Sequence, residues 1–470
     1  MGKNTLSQNR PKPGDILSVH VDRLVYGAEG IGRVDGLAVF VKGGAPDETV
    51  RARVTRTHRR HVEAIVESVD MPSAHRVDAI CGHYREGCGG CSWQHVAYGT
   101  QLAAKQTAVR DSLERIAGFL SPPMRPILPA PSPFRYRNKM EFAFHPDGIL
   151  GLHPQGAWYD ILPLRECHLP SEDTVAIVHR AQAFVRENNL SLYHPRRKEG
   201  LLRELVVRHS GTNEILLGIV TSPGEFPQAN AMAAFLAEGN PRIASIVRSI
   251  RSVPETAAPL EQTSLLFGKT HITEVIGGLR FGLRIETFFQ TNTAQANTLV
   301  DLVKEFAGDV AGAEVVDVYC GVGVFTLALA AMGAKAMGVE LVPEAIEAAR
   351  ENALANGIAG TCFVAGDARH ILAEVLPAGL APKVLVLDPP RGGAGGKVMR
   401  RIARSQPHRI IYVSCNPTSL ARDLMELIPF GYRVTLVQPV DMFPQTYHVE
   451  TIVVLDRRDE ASVMESTIEE

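Results

Sequence analysis

The stretch IIYVSCNPTSLARD, residues 410–423, joins an apolar run to a cysteine and then to a polar segment. The run at residues 410–413 has the composition of a buried strand, and the segment after it predicts a helix starting near Thr418. The positive end of that helix and its backbone donors would lie close to Cys415 and favour its thiolate form. We therefore interpret Cys415 as a nucleophile at the carboxyl end of a strand.

Around this stretch, residues 286–457 alternate apolar strands with amphipathic helices, which predicts a doubly wound α/β sheet. The predicted strands are residues 314–318, 334–339, 361–364, 384–387, 410–413, 432–437 and 451–455. Ligands of such sheets bind at the carboxyl ends of the strands. The polar residues that stand at or just beyond these ends are Asp317, Tyr319, Glu340, Asp367, Asp388 and Cys415. We expect them along one edge of the sheet, joined by Glu450 if the last strand is antiparallel.

The segment DVYCGVGVFT, residues 317–326, has glycines at 321 and 323, which allow the backbone to approach a ligand before a helix begins. Thr326 stands where a dinucleotide fingerprint would have its third glycine, so a structural turn is an equally fair interpretation of this segment alone. Glu340, at the end of the next strand, could accept both ribose hydroxyls of a nucleoside. S-adenosylmethionine has a nucleoside but no phosphate, and therefore suits this pattern better than a dinucleotide.

Three elements share the predicted edge: DPPR at residues 388–391, SCNP at 414–417 and HVE at 448–450. Together they resemble the RNA uracil-C5 methyltransferase family, in its ribosomal-RNA type. The resemblance implies a Rossmann-like class I methyltransferase sheet, S-adenosylmethionine as cofactor, Cys415 as nucleophile and Glu450 as base. It also implies a cofactor pocket lined by Gln290, Tyr319, Val324, Glu340, Asp367 and Asp388.

The chemistry explains why a thiolate and a carboxylate are needed. Uracil C5 attacks a methyl sulfonium poorly until a thiolate has added to C6, and a base must then remove the C5 proton. DPPR alone is ambiguous, because amino-group methyltransferases have similar turns, but their reaction requires no cysteine. Two other cysteines of this region, Cys320 and Cys362, are expected to be buried packing residues.

Three of the seven cysteines, Cys81, Cys88 and Cys91, crowd into CGHYREGCGGC, and Cys167 follows further along. Clustered thiolates need a shared cation, which zinc or an iron-sulfur cluster could supply, and spacing alone does not choose between them. Nearby histidines at 83, 95 and 168 keep zinc open, and unrelated buried thiols are the alternative to any metal. The resemblance to the family implies a 4Fe-4S cluster on Cys81, Cys88, Cys91 and Cys167.

Short alternating segments separated by glycines predict a small OB-like β-barrel over residues 13–71. This stretch, with its GxG turn at residues 30–32, resembles a TRAM domain, an RNA-binding module. Residues 51–61, RARVTRTHRRH, have five arginines and two histidines without an acid. They could form a solvated face, although an arginine-rich strand on such a barrel better suits a groove that follows phosphates.

The whole chain of 470 residues has a formal charge of only −2, so contacts with nucleic acid must come from local patches. We expect a disordered tail at residues 1–12, a mixed α+β central domain at 72–285 and an acidic tail at 458–470. No run of about 18 apolar residues and no apolar leader is present, so we expect a cytoplasmic protein without a membrane span.

The sequence thus predicts an S-adenosylmethionine-dependent methyltransferase that acts on uridine C5 in RNA, with no obligate protein partner evident. The barrel favours ribosomal RNA of the 23S type as acceptor, and the uridine at position 54 of transfer RNA is the alternative. A 5-methylcytosine methyltransferase would typically employ two cysteines, in TC and PC settings, and the latter are missing. An RNA-binding protein with a relict catalytic domain would be expected to bind the cofactor without turnover.

Overall fold

The computed structural model describes residues 10–157, 159–253 and 258–458. The predicted tail at residues 1–12 lies outside the described residues up to residue 9, and the predicted acidic tail lies outside them from residue 459. In the part of the chain that is described, no helix is long and apolar enough to cross a membrane.

The N-terminal strands close into a five-stranded barrel in the order β1-β2-β3-β5-β4. These strands are β1 (Ile16–Leu24), β2 (Gly30–Val34), β3 (Leu37–Lys42), β4 (Glu48–Thr57) and β5 (His61–Met71). Along β4, Val50, Ala52 and Val54 point into the core while Arg51 and Arg53 between them are exposed. The barrel closes tightly at Gly32, where a Cβ atom would lie 2.0 Å from the carbonyl oxygen of His20. A residue with a side chain would therefore force these strands apart.

Two helices link the barrel to the rest of the chain, the short α1 (Gly82–Arg85) and the long α2 (Tyr98–Arg115). Helix α2 packs beside the C-terminal sheet, with Val109 and Leu113 fully buried in that core. Its Lys105 has no solvent exposure, and its ammonium donates to the Asp441 carboxylate and to the Phe443 carbonyl. A buried ion pair thus fixes α2 to the segment that precedes Glu450.

The central region contains a seven-stranded sheet in the order β12-β11-β10-β9-β6-β7-β8. Its strands are β6 (Lys139–His145), β7 (Ile149–Leu152), β8 (Leu162–Pro163), β9 (Leu202–His209), β10 (Ile215–Thr221), β11 (Ile243–Ile250) and β12 (Gln262–Gly268). Helices α3 (Glu172–Glu187) and α4 (Ala229–Ala237) share its hydrophobic core. Only β10 and β11 run parallel, so this is the mixed α+β architecture expected from the sequence.

The C-terminal region contains a second seven-stranded sheet, in the order β17-β16-β15-β18-β19-β21-β20. Its strands are β15 (Glu314–Val318), β16 (Lys335–Glu340), β17 (Thr361–Ala365), β18 (Val384–Leu387), β19 (Arg409–Ser414), β20 (Tyr432–Val440) and β21 (Glu450–Arg457). The first five are parallel, and β21 is antiparallel to both of its neighbours. The predicted doubly wound α/β class is confirmed, including the reversal of the last strand.

Helices cover both faces of this sheet. They are α5 (Thr293–Ala307), α6 (Val324–Ala330), α7 (Pro343–Ala355), α8 (Ala368–Val375), α9 (Gly396–Ser405) and α10 (Pro417–Met425), with a 3₁₀ turn at Ile428–Phe430. Alternate residues of each central strand face opposite cores, so that Val386 lies with α5 and α6 and Leu387 lies with α9 and α10. A hairpin of β13 (Ile272–Ile276) and β14 (Leu279–Leu283) joins the first of these cores. The boundary expected near residue 286 stays a prediction.

We predict that Lys105→Met destabilises the protein by about 3–5 kcal/mol, because it leaves the Asp441 carboxylate buried without its cation. The matched control is Arg53→Met, which removes the exposed pair with Glu67, N–O 2.7 Å, and should cost less than about 1 kcal/mol. The midpoint of urea unfolding measures both effects. Equal losses in the free energy of unfolding would show that the buried Lys105 pair stabilises the protein no more than the exposed pair does.

Candidate active site

Cys415 is placed as the sequence predicts, between the end of β19 and the start of α10, and is half-buried. Asn416 caps the helix: its side-chain oxygen accepts from the backbone N–H of Thr418 at 3.1 Å and from the Thr418 hydroxyl at 2.8 Å. The helix begins one residue earlier than expected, at Pro417. The thiol consequently lies beside the positive end of a helix dipole.

Glu450 is the first residue of β21 and is 2% exposed. In the antiparallel ladder of β19 and β21, Val413 pairs with Ile452 and Ser414 pairs with Thr451. Cys415 directly follows Ser414 and Glu450 directly precedes Thr451, so the two residues flank the last pair of this ladder, and the charge of Glu450 acts on Cys415. The reversal of one strand therefore brings the predicted nucleophile and the predicted base to the same edge of the sheet, from positions far apart in the sequence.

The titratable groups at this edge shift the pKa values of one another. Burial, reinforced by the nearby carboxyl groups of Glu450 and Asp388, raises the pKa of Cys415 to about 11, and the charge of Arg391 and a backbone hydrogen bond act in the opposite direction. Burial and Asp388 raise the pKa of Glu450 well above its ordinary value, and burial with Asp317 raises that of Asp388 to about 7. The helix end and its backbone donors were expected to favour the thiolate, but burial and the two carboxyl groups outweigh them, so the net shift of the thiol pKa is upward.

The loop after DPPR is held by α10. The Arg391 carbonyl accepts from the Asn416 amide at 3.0 Å and from the Ser419 hydroxyl at 3.1 Å. The buried carboxylate of Asp423 accepts from the Tyr412 hydroxyl at 2.6 Å and from two backbone N–H groups of the loop, at residues 394 and 395, at 2.7 and 3.1 Å. These hydrogen bonds fix the backbone of the loop and so limit the positions that the Arg391 side chain can take. Its Nη2 donates to the Tyr447 hydroxyl at 3.0 Å.

Sequence analysis did not assign roles to Asp423, Arg391 or Tyr447. Asp423 ends the LARD portion of the quoted stretch, where an acid inside a helix next to a buried strand was the available signal. Tyr447 directly precedes the HVE element, and no local pattern distinguishes it from a packing aromatic. Only folding brings Tyr447 to Arg391 and Asp423 to the loop that carries Arg391.

The glycine loop meets the predicted ribose acid. Gly323 has φ +87° and immediately precedes α6, a backbone conformation that favours glycine. The Glu340 carboxylate accepts from the Gly321 N–H at 3.1 Å and from the Val342 N–H at 3.0 Å. Beneath the loop, buried Asp317 accepts from both the N–H and the hydroxyl of Thr326. Thr326, where a third glycine was absent, therefore fastens the loop.

The other predicted pocket residues differ in their exposure and in the hydrogen bonds that they make. Tyr319 has φ +69°, a strained conformation for a tyrosine, and burial raises its pKa to about 12. Val324 is the first residue of α6. Asp367 caps α8 and pairs with Arg369, whose hydrogen bonds lower its pKa to about 2. Gln290 is half-buried, and its backbone carbonyl accepts from the Asn138 amide at 3.2 Å.

The four cysteines of the predicted cluster come together from α1, the loop after it and the segment before α3. Cys81, Cys91 and Cys167 are buried, and Cys88 is half-buried. Burial, reinforced by the charges of the neighbouring cysteines, raises the pKa of Cys91 to about 12 and that of Cys167 to about 11. Thiols with such pKa values would lose their protons only to a bound cation.

Two expectations about nearby residues have mixed outcomes. Cys320 is buried as expected, but Cys362 is exposed, because it lies on the outward side of edge strand β17. The two phenylalanines that precede Gln290 also differ in exposure. Phe289 is 5% exposed and packs against Phe281, whereas Phe288 is 80% exposed.

The sheet order, the glycine loop and the Cys415–Glu450 edge define a Rossmann-like methyltransferase joined to an OB-like barrel. Residues 278–458 match the profile of the tRNA (Uracil-5-)-methyltransferase family, and residues 10–66 match the TRAM domain. An uncharacterized RNA methyltransferase of Chlorobaculum tepidum is 36% identical over 474 residues, covering 96% of this chain and 98% of its own. One from Bacillus cereus is 33% identical over 447 residues, covering 94% and 97%.

The chain therefore belongs to this family of RNA uracil-5 methyltransferases, and the expected enzyme class, an S-adenosylmethionine-dependent RNA methyltransferase, is confirmed. A solved structure supports the fold over nearly the whole chain. It is that of Pyrococcus abyssi tRNA (uracil-54, C5)-methyltransferase in complex with S-adenosyl-L-homocysteine, which is 28% identical with a TM-score of 0.75. The match covers 93% of this chain and 99% of the Pyrococcus chain.

We predict that Glu450→Gln stabilises the unliganded protein at pH 8 but hardly at pH 5. A buried carboxyl with a raised pKa binds its proton more tightly in the folded state, so the free energy of unfolding falls as pH rises above the ordinary value of about 4.3. The amide does not titrate and avoids this loss. Thermal melts across this pH range measure it, with Glu374→Gln, an exposed acid on α8, as the control. A difference between Glu450→Gln and wild type that does not grow with pH would contradict the raised pKa.

Proposed function

We propose that the protein transfers a methyl group from S-adenosylmethionine to C5 of a uridine in RNA. The observation that carries this proposal is the end of the ladder between β19 and β21, where the last pair, Ser414 and Thr451, is flanked by Cys415 and Glu450. In this scheme the Cys415 thiolate adds to C6, and the electron pair released towards the ring makes C5 nucleophilic. C5 then takes the methyl group from the sulfonium. Glu450 removes the remaining C5 proton, and elimination of the thiolate restores the C5–C6 double bond.

Burial favours the protonated forms of Cys415 and Glu450, the two groups that this scheme needs in charged form. Cys415 must lose its proton when the ring arrives, and Arg391 is the cation whose charge favours the thiolate. Glu450 must be ionised when the C5 proton is removed, and its raised pKa makes it a stronger base once it is. Asp388, next to both, holds either the uracil edge or the cofactor rather than moving protons.

For the cofactor, we propose the pocket expected from the sequence. Glu340 is at the glycine loop, where its carboxylate could receive the ribose hydroxyls, and Asp367 could receive the adenine amino group. Gln290 would hold the methionine end. The likeness to the Pyrococcus enzyme, whose structure is a complex with S-adenosyl-L-homocysteine, supports this assignment.

The exposed ring of Phe288 is proposed to stack on the target base or its neighbour. C5 and C6 of a stacked uracil are out of reach of Cys415, so the base must leave its stack before reaction. Phe288 precedes Gln290 on the loop between β14 and α5 and is 80% exposed, whereas buried Phe289 is not available for this role.

The acceptor has two candidates, and we propose 23S ribosomal RNA, on the resemblance and on the presence of the barrel. Transfer RNA uridine 54 is the second candidate, and the Pyrococcus neighbour favours it. That neighbour aligns with 93% of this chain, so its alignment includes part of the barrel at least. A barrel is therefore compatible with either RNA, and the choice of ribosomal RNA follows mainly from the resemblance. The exposed arginines of β4 suit the phosphates of either one.

We predict that one 5-methyluridine disappears from cellular RNA when the gene is deleted and does not return with Cys415→Ala. Nucleoside mapping of ribosomal and transfer RNA by mass spectrometry identifies the acceptor in the same experiment. Cys362→Ala is the matched control, since it removes an exposed cysteine away from the site and should restore the mark. Loss of a different modified base, with every 5-methyluridine intact, would reject the uracil assignment.

With purified protein, Glu450→Gln should accumulate RNA bound covalently to Cys415 after methyl transfer. The amide cannot remove the C5 proton, so release of methylated RNA should slow by at least about hundredfold. Denaturing gels and mass spectrometry of the Cys415 peptide detect the adduct. Free methylated RNA released at the wild-type rate would exclude Glu450 as the base.

We further propose that Cys81, Cys88, Cys91 and Cys167 hold a 4Fe-4S cluster. Each sulfur has an N–H donor: those of Cys88 and Cys91 accept from the Gly90 backbone at 3.5 Å and the Gln94 amide at 3.1 Å, and backbone N–H groups near Cys81 and Cys167 serve the other two. Such donors stabilise thiolates that bind a cluster. The positive charge of Arg137 acts on three of the four.

The histidines that kept zinc open have other partners. His95 contacts the Tyr84 hydroxyl and the Gly44 carbonyl, and the Nε2 of His83 accepts from the Arg165 N–H at 3.0 Å. Four thiolates on zinc lie about 3.8 Å apart, since each Zn–S bond is about 2.3 Å in a tetrahedron. Among the described residues, three possible metal-ligand atoms lie within 4.8 Å of one another in the group His58, His61 and Glu63. No three sulfur atoms of these four cysteines lie that close together. A larger cluster suits this wider spacing.

We predict that protein purified without oxygen contains about four irons and four sulfides per chain, with broad visible absorbance. Cys91→Ala should lose the iron, whereas Cys362→Ala should keep it. Metal analysis that finds stoichiometric zinc in place of iron would refute the cluster. Cluster loading is measured without RNA, so this result is independent of the methylation assay.

A further inference from the structure

The turn between β1 and β2 leaves the barrel and lies against the catalytic edge. On this turn, the ring of Tyr26 packs edge-on against the ring of Tyr447, with centroids 5.3 Å apart and planes at 86°. Tyr447 packs in turn on His448, with centroids 4.2 Å apart. The N-terminal barrel thereby contacts the segment that immediately precedes Glu450.

This turn is held firmly by other parts of the chain. Ala28 has φ +84°, a strained conformation for a residue with a side chain, and its carbonyl accepts from the Trp93 indole N–H at 3.0 Å. Trp93 is 1% exposed and forms one small core with Leu24, against which Tyr447 packs. At the end of β1, Arg23 pairs with Asp111 of α2 at 3.2 Å. A strained turn that is fixed at three points indicates a defined position for Tyr26.

Tyr26 lies near Arg391, a cation that favours the Cys415 thiolate. The Arg391 guanidinium lies 6.0 Å from the Tyr447 ring centroid, donates to the Tyr447 hydroxyl and acts on the charge of Tyr26. The Tyr26 oxygen is buried, with no partner of good hydrogen-bond geometry among the described residues. The hydroxyls of Tyr447 and Tyr26 help to raise the pKa of Arg391. The charge of Cys415 contributes to the raised pKa of Tyr26.

We propose that Tyr26 is a positioning residue by which the docked barrel holds Arg391 next to Cys415. The ring of Tyr26 blocks one side of Tyr447, and its hydroxyl offers Arg391 a second oxygen, so the guanidinium stays near the thiol. The barrel would then do more than bind RNA, because part of the catalytic charge arrangement depends on its turn. This inference rests on the proposed function, in which Cys415 is the nucleophile. The expected effect of Tyr26 on the Cys415 thiol can nevertheless be measured without RNA or cofactor.

The test is the rate at which iodoacetamide alkylates Cys415 as a function of pH, followed by mass spectrometry of the Cys415 peptide in the full-length protein. The titratable groups around the thiol are Glu450, Asp388, Arg391 and Tyr26. Tyr26→Phe keeps the ring and removes only the hydroxyl. We expect its alkylation curve to move to higher pH, with a rate at pH 8 about threefold to tenfold lower, as a rise of one half to one pKa unit requires.

Tyr447→Phe, which removes the acceptor used by Arg391, should move the curve in the same direction. Tyr159→Phe, on the central domain, is the matched control and should leave the curve unchanged. If Tyr26→Phe gives the wild-type curve while Tyr447→Phe shifts it, Tyr26 does not position Arg391 and the proposal is rejected. A shift in both variants supports it, even if the wild-type protein turns out not to methylate uridine.

Methylation kinetics add a second readout where the enzyme is active on RNA. A positioning role predicts that Tyr26→Phe lowers kcat with little change in the KM for RNA, because the thiolate population falls while RNA binding is preserved. A higher KM with unchanged kcat and an unchanged alkylation curve would instead assign Tyr26 to RNA binding and overturn the inference.

Discussion

The catalytic edge depends on the reversal of a single strand. In a sheet of parallel strands, every strand has its carboxyl end at the ligand edge, so only residues that follow a strand can contribute there. Strand β21 runs the other way and begins at that edge with Glu450, paired across the ladder from the end of β19. A base that starts one strand and a nucleophile that directly follows another can then lie at the same edge. Glu450 pairs with Val440 of β20, and Cys415 follows Ser414, the last residue of β19 that pairs with β21.

The second constraint is the network that ties the N-terminal half of the chain to residues 441–449. Asp441 accepts from Lys105 and from the Tyr98 hydroxyl, and the Gln101 side chain exchanges hydrogen bonds with Gln445. The Gln445 carbonyl also accepts from the backbone N–H of Trp93, next to the cluster cysteines. The segment that leads to Glu450 is therefore supported by α2 and by the cysteine loop. This contact gives the predicted cluster a structural reason to exist in a reaction that needs no electron transfer.

Much of the fold could be predicted from the sequence because its signals are local. The strands Glu314–Val318 and Val384–Leu387 were predicted to the residue, since buried parallel strands are short apolar runs ended by polar residues. The placement of Cys415 followed for the same reason. The exposure of Cys362 could not be predicted, because it depends on β17 lying at the edge of the sheet, which is a property of strand order.

The site was predictable only in part, since its electrostatics come from contacts distant in sequence. Arg391 is held through Asn416 and Asp423, and its partner Tyr447 comes from a third segment. No periodicity in any of these segments indicates the others. The raised pKa of the thiol was missed for a related reason: a helix end can be read from the sequence, but the burial that outweighs it cannot.

The hydrogen bonds between residues 92–105 and 441–445 also bear on how the protein is made. A ribosome delivers the chain from its N-terminus, so Lys105 emerges more than three hundred residues before Asp441. Until the last strands are synthesised, the ammonium of α2 and the N–H groups of the cysteine loop lack their native acceptors. A chain that ends before residue 441 therefore has a cation on α2 without the carboxylate that pairs with it in the complete protein.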